Sequence, residues 1–139
     1  MIDYQSENVE LPQLDFSKIS RWLTAVAADY GCRIGNLVYK FCDDQEILRI
    51  NKEFLRHDYY TDIITFDYTV GDKVGADIII SLDTVSSNAE SFGVAYEEEL
   101  RRVMVHGLLH LFGIKDKKPE ERAEMESAEN RALQSYDTI

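Results

Sequence analysis

Apolar positions along the chain recur with strand-like spacing in some segments and helix-like spacing in others. Runs of β-branched and aromatic residues predict strands over residues 2–7, 37–42, 62–68 and 76–81. Gly71, Asp72 and Gly75 separate the last two runs. Residues of this kind favour tight turns, so we expect the last two strands to form a hairpin.

Other segments place apolar residues three and four positions apart, which predicts five helices. These helices are expected over residues 16–30, after a capping Asp43 or Asp44, over 82–92, over 97–112 and from Pro119 onward. The resulting order is β, α, β, α, β, β, α, α, α. It predicts an α/β (α+β) fold, with one small domain over residues 1–139 and about five helices covering a mixed sheet of about four strands.

The charge of the chain restricts its partners. Lys and Arg number 15 against 26 Asp and Glu, which gives a formal net charge of −11 at pH 7. Such a charge opposes non-specific binding to DNA, RNA or anionic membranes, because phosphate neutralisation dominates affinity for these partners. We therefore expect no DNA or membrane partner, and any RNA contact must be local. Short basic clusters at residues 49–56 and 115–118 are typical of a solvated surface.

The sequence shows no secretory signal or membrane-spanning stretch, and its two cysteines fit a reducing compartment, so we expect a cytoplasmic protein. Residues 1–16 are acidic and lack the basic region and apolar run of a secretory signal. The longest apolar stretch, residues 103–114, is interrupted by two histidines and is too short to span a membrane. Cys32 and Cys42 match no disulfide framework or compact metal motif, so we expect reduced, small core residues.

The segment VMVHGLLHLFGIKDKK, residues 103–118, carries the candidate chemistry. Its helix is apolar nearly all round, which predicts a buried central helix. His106 and His110 are four residues apart and therefore lie about 6 Å apart along one face. Gly113 can adopt a left-handed conformation and turn the chain so that Asp116 becomes a third metal ligand. Three protein ligands with one open position are typical of a catalytic zinc site.

Two other interpretations of this segment stay open. The histidines could be core residues hydrogen-bonded to backbone or carboxylate oxygens, with Asp116 in a lysine-rich loop. A metalloprotease-like hydrolase would also carry two histidines on one helix. Gly107, however, stands where H-E-x-x-H enzymes have their general-base Glu, which weakens the peptidase hypothesis.

One protein family carries counterparts of four motifs in this chain, HGLLHLFG, TDIITF, DIIIS and NKEF. They resemble the YbeY family of ribosomal RNA maturation factors, over residues 37–125. The resemblance implies a metal-dependent, single-strand-specific endoribonuclease with one zinc ion. It further implies a role in 16S rRNA 3′-end maturation and ribosome quality control, with the small ribosomal subunit or its proteins as partners.

Carried over by position, His106 and His110 match the family's first two zinc ligands, and Asp116 stands where a third histidine is common. A carboxylate ligand lowers the positive charge on the metal and makes its bound water less acidic. Leu55 occupies the position where the family often has a catalytic arginine. We therefore expect Arg56 or His57 to supply the cation that contacts phosphate.

Two further acidic residues and one further function class stay as hypotheses. Asp62 and Asp77 are expected at strand ends, either in contact with the metal ligands or in turn and cap roles. The sequence identifies no general base. A non-catalytic ribosome-assembly module would use the metal only to tie the loop after Gly113 to the helix.

Overall fold

The computed structural model describes residues 1–57 and 61–139, which form four strands and five helices in the predicted order. The strands are β1 (Ile2–Glu7), β2 (Arg33–Cys42), β3 (Ile63–Asp67) and β4 (Lys73–Ser81). The helices are α1 (Phe16–Asp29), α2 (Asp44–Leu55), α3 (Leu82–Phe92), α4 (Tyr96–Leu111) and α5 (Pro119–Tyr136). The predicted α+β class is therefore confirmed.

The four strands form one mixed sheet in the order β1-β2-β4-β3. The pairs β1–β2 and β2–β4 are parallel, whereas β3 and β4 are antiparallel. The turn between β3 and β4 contains Gly71 at φ +61°, a left-handed conformation that glycine adopts without steric cost. The predicted hairpin is confirmed.

Strands β2 and β4 begin earlier than predicted, at Arg33 and Lys73 instead of residues 37 and 76. Their first residues pair with each other, Arg33 with Lys73, so β2 extends through Gly35 and β4 through Gly75, a residue that the sequence assigned to the turn. A Cβ added to Gly35 would lie 3.0 Å from the Lys73 side chain and 3.1 Å from the Val74 carbonyl. The close approach of the two backbones explains the glycine.

The main hydrophobic core lies between one face of the sheet and helices α1, α4 and α5. Two buried hydrogen bonds connect the helices of this core to each other and to the sheet. Trp22 Nε1 on α1 donates to the Ala132 carbonyl of α5 at 2.7 Å, and the Tyr39 hydroxyl on β2 donates to the Met104 carbonyl of α4 at 2.8 Å. Helix α4 is buried along most of its length, which confirms the predicted central helix.

The other face of the sheet carries a smaller cluster beneath α2. Ile47 and Ile50 of α2 pack there against Ile64 and Ile79 of the sheet, beside Cys42. Among the described helices, none combines the length and apolarity needed to cross a bilayer.

The two cysteines differ in burial, and we expect them to differ in reactivity. Cys42 is fully buried, whereas Cys32 is half-buried. Burial raises the pKa of the Cys42 thiol to about 12, and the charges of Glu46 and Asp43 add to the effect. Because the thiolate is the reactive form, iodoacetamide should modify Cys42 at least about 100-fold more slowly than Cys32 in the native protein.

Mass spectrometry of peptides from the alkylated protein measures both rates. In denaturant the two cysteines should react alike, which controls for peptide detection. Equal labelling of the native protein would contradict the burial of Cys42.

Candidate metal centre

Helix α4 presents the two predicted histidine ligands on one face. The rings of His106 and His110 have centroids 4.6 Å apart and lie nearly perpendicular, at 84°. Both side chains are half-buried. The four-residue spacing therefore brings the rings together as the sequence predicts.

The end of α4 turns the chain back toward the histidines. The Gly113 N–H donates to the His110 carbonyl at 3.0 Å, and the Ile114 N–H donates to the Leu109 carbonyl at 3.3 Å. These two bonds form a Schellman motif, with Gly113 left-handed at φ +93° as predicted. The turn also places the Ile114 carbonyl against His110 Nδ1 at 2.9 Å.

The same turn brings Asp116 to the other side of the rings. Its Oδ2 atom lies 3.2 Å from His106 Nε2 and 3.2 Å from His110 Nε2. In a tetrahedral zinc site, two ligands at about 2.0–2.1 Å from the ion lie about 3.3 Å apart. The donor atoms of these three residues therefore have the spacing and the chemistry of a group that could hold a metal ion.

Neutral imidazoles do not satisfy all the oxygen acceptors in this arrangement. His110 has an oxygen acceptor at each ring nitrogen, the Ile114 carbonyl and Asp116 Oδ2. His106 likewise has Glu129 at Nδ1 and Asp116 beside Nε2. A neutral imidazole carries only one N–H. With that proton on Nδ1, each ring turns a lone pair toward the Asp116 carboxylate, and a cation between the three atoms removes the repulsion.

Glu129 is a site residue that sequence reasoning missed. Its Oε2 lies 2.5 Å from His106 Nδ1, although the two residues are 23 positions apart. Burial lowers the pKa of His106, but the hydrogen bond and charge of Glu129, with the charges of Asp116 and Asp62, outweigh it and raise the pKa overall. One signal was present in the sequence, because Glu129 lies on the apolar stripe of α5 with Met125 and Ala132.

A cavity of about 480 Å³ opens beside His106 and Asp116. Four glutamates and two arginines line it, Glu98, Glu99, Glu126, Glu129, Arg102 and Arg122. Burial raises the pKa of the Glu99 carboxyl, and the charge of Arg102 opposes the rise. The cavity therefore has more acidic than basic side chains in its lining.

The two acidic candidates, Asp62 and Asp77, lie in different surroundings. Asp62 precedes β3, where its carbonyl accepts the Ser81 N–H at 3.0 Å. Burial raises the pKa of its carboxyl, and the charge of His106 opposes the rise, so Asp62 lies within electrostatic range of His106.

The expectation for Asp77 is wrong. It lies inside β4 rather than at its end, and Ala76 and Ile78 on either side of it face the main core. Side chains alternate along a strand, so Asp77 points to the opposite face, where the Tyr68 hydroxyl donates to it at 3.3 Å. The sheet separates Asp77 from the metal centre.

The predicted phosphate-binding cations lie just beyond α2. Arg56 is exposed and left-handed at φ +58°, and it ends the helix. His57 is also exposed, and it lines a small cavity with Asn51 and Thr61 that His106 and Asp116 do not line. The described contacts therefore place neither cation against the three candidate ligands, and their catalytic role stays a prediction.

Gly107, between the two histidines, faces the sheet. A Cβ at this position would lie 2.9 Å from Ile63 Cδ1 and 3.2 Å from Ile78 Cγ2. A glutamate here would point into the hydrophobic layer instead of the metal centre. The packing thus explains physically why this helix lacks the general base of H-E-x-x-H peptidases.

Comparison with known proteins identifies the family. A family model described as Endoribonuclease YbeY matches residues 1–137. An Endoribonuclease YbeY of Bacteroides thetaiotaomicron is 54% identical over 132 residues, which cover 95% of this chain and 96% of the relative. Another, of Phocaeicola vulgatus, is 55% identical over 133 residues, which cover 96% of each chain.

The fold has a counterpart among solved structures. A Thermotoga maritima protein, solved in solution, matches 98% of this chain and 89% of its own length with a TM-score of 0.66. At 23% identity this likeness concerns the fold alone. On the strength of the family model and the two bacterial relatives, the chain belongs to the YbeY endoribonuclease family.

Proposed function

We propose that this chain is a zinc-dependent endoribonuclease that hydrolyses phosphodiester bonds of single-stranded RNA. Family membership supports the RNA-cleaving activity. The observation that carries the metal dependence is the geometry of three side chains. Asp116 Oδ2 lies 3.2 Å from Nε2 of both His106 and His110, and both Nδ1 atoms are engaged elsewhere.

The nature of the donors favours zinc over harder cations. Two imidazole nitrogens and one carboxylate oxygen suit zinc, whereas magnesium and calcium prefer all-oxygen sites. When bound, the cation would polarise a phosphate oxygen and lower the pKa of a water molecule. Among the residues that the structure describes, three protein donors converge, which leaves one coordination position for water or substrate.

The remaining roles belong to residues of the chain. His106, His110 and Asp116 hold the cation at the edge of the cavity. Arg56 and His57 neutralise the charge that develops on the phosphoryl oxygens. Their place in the sequence supports this role, because they directly follow Leu55, the position where the YbeY family often has an arginine.

The biological role proposed here is 3′-end maturation of 16S rRNA and ribosome quality control in the cytoplasm. Its partners are the small ribosomal subunit or its proteins. Membership of the YbeY family supports this assignment. In cells that lack the gene, we expect precursor 16S rRNA to accumulate, and re-expression of the wild-type chain to restore the mature 3′ end.

Metal removal and reloading test the activity directly. Protein treated with a chelator should lose cleavage of a labelled single-stranded oligoribonucleotide, and one equivalent of zinc should restore it. The same RNA annealed to its complement, the corresponding DNA and a peptide substrate should remain uncut. Gel electrophoresis and metal analysis by mass spectrometry provide the two readouts.

Asp116→Asn, purified in parallel, controls for contaminating nuclease. The variant should stay folded but cut the RNA at background level, because an amide is a poor substitute for an anionic ligand. Equal cutting by both proteins would assign the activity to a contaminant. Stoichiometric zinc without any cleavage would instead support a structural metal in a non-catalytic assembly module.

A further inference from the structure

We propose that Glu129 is a positioning residue of the metal centre: its carboxylate, held by Arg102, keeps the proton of His106 on Nδ1 and so directs the Nε2 lone pair at the cation. The inference rests on the metal centre of the proposed function. It assigns a role to helix α5, which contributes none of the three candidate ligands.

Both carboxylate oxygens of Glu129 are engaged. Oε2 lies 2.5 Å from His106 Nδ1, and Oε1 accepts from Arg102 Nη1 at 2.8 Å. Arg102 Nη2 donates in addition to Asn130 Oδ1 at 2.8 Å. Glu129 is itself 7% exposed, so water offers it little alternative. The carboxylate therefore has one well-defined orientation.

The acceptor determines the tautomer of the ring. A carboxylate has no proton to donate, so Glu129 accepts at both oxygens, from Arg102 Nη1 at Oε1 and from the imidazole at Oε2. A neutral His106 must then donate through Nδ1–H, which leaves Nε2 unprotonated and 3.2 Å from Asp116 Oδ2. A carboxylate behind a ligating histidine also raises the basicity of the ring and restricts its rotation.

His110 offers an internal comparison. Its Nδ1 faces the backbone carbonyl of Ile114 at 2.9 Å, so the same tautomer is imposed by a backbone group. The two rings thus expose equivalent Nε2 atoms by different means. Glu129 does for His106 what the turn after α4 does for His110.

Glu129→Gln tests the proposal because an amide has one acceptor oxygen for two donors, His106 Nδ1–H and Arg102. We expect the zinc affinity, measured against a competing chelator, to fall by about 10–100-fold. In metal-free protein at a pH where His106 is neutral, ¹⁵N NMR of the imidazole should show its proton moving from Nδ1 toward Nε2. Neither readout depends on RNA cleavage.

Glu126→Gln is the matched control. Glu126 lies one turn earlier on α5, lines the same cavity and is exposed, so the variant removes the same charge from the same region. We expect its zinc affinity and His106 tautomer to match those of the wild type. Arg102→Gln should weaken zinc binding to an intermediate extent, because Glu129 then loses one of its two restraints. If Glu129→Gln does not fold, Arg102→Gln tests the positioning role, and unchanged zinc affinity in that variant would overturn it.

The outcomes separate this proposal from the proposed function. Unchanged zinc affinity and tautomer in folded Glu129→Gln would overturn the role of Glu129, and so would equal losses in Glu126→Gln and Glu129→Gln. Weaker zinc binding confined to Glu129→Gln and Arg102→Gln, in a wild-type protein that cuts no RNA, would support the positioning role while the proposed nuclease fails.

Discussion

His110→Ala is expected to abolish both stoichiometric zinc binding and RNA cleavage while the fold is retained. The substitution removes one of three donors, so the loss of affinity should exceed the roughly 10–100-fold typical of residues behind the ligands. Because His110 is half-buried at the edge of α4, its truncation leaves the main core intact. Metal analysis, circular dichroism and the oligoribonucleotide assay measure the three quantities.

His57→Ala provides a histidine control for this prediction. The chain has three histidines, and His57 lies beyond α2 and lines a different cavity from the metal centre. Its variant should bind one zinc ion with wild-type affinity, and its cleavage should decrease without metal loss. Wild-type zinc content in His110→Ala would refute the three-residue centre.

Gly107→Leu should have the largest effect on stability. Even a Cβ at this position would lie 2.9 Å from Ile63 Cδ1 and within 3.3 Å of two Ile78 atoms, so a leucine side chain has no space between α4 and the sheet. Overpacking of this kind costs about 3 kcal/mol of unfolding free energy. For a chain of this length the midpoint of thermal unfolding should fall by about 10 °C.

Gly107→Ala is the graded control for the overpacking. Alanine gains about 1 kcal/mol in helix propensity over glycine, and the Cδ1 atom that it meets is the flexible end of Ile63. We therefore expect its stability to remain within about 1 kcal/mol of wild type. Ile63→Val deletes that Cδ1 atom. When it is combined with Gly107→Ala, the alanine should cost less unfolding free energy than it does in the wild-type background. A leucine variant as stable as the alanine variant would mean that α4 does not pack against the sheet here.

Local patterns in the sequence were sufficient to predict most of the metal centre. The spacing of His106 and His110 determines which helix face they share, and the left-handed Gly113 determines how the chain returns to it. All of these are interactions over a few residues, where helix geometry leaves little freedom. The same reasoning predicted β1 and α3 with their observed bounds.

The missed features depend on contacts between distant segments. Glu129 reaches His106 only because α5 packs on α4, and no local spacing connects the two residues. The early starts of β2 and β4 depend likewise on their pairing with each other. Asp77 differs from these features, because side chains alternate between the two faces of a strand. That local rule could have assigned Asp77 to the face opposite the main core.

The two imidazoles differ in how readily their surroundings can change. The carbonyl that orients His110 belongs to the main chain, so no single side-chain replacement at Ile114 removes it. The group that orients His106 is a side chain and can be exchanged by one codon. A replacement at position 129 can therefore change the orientation of His106, whereas the orientation of His110 is set by the helix terminus itself.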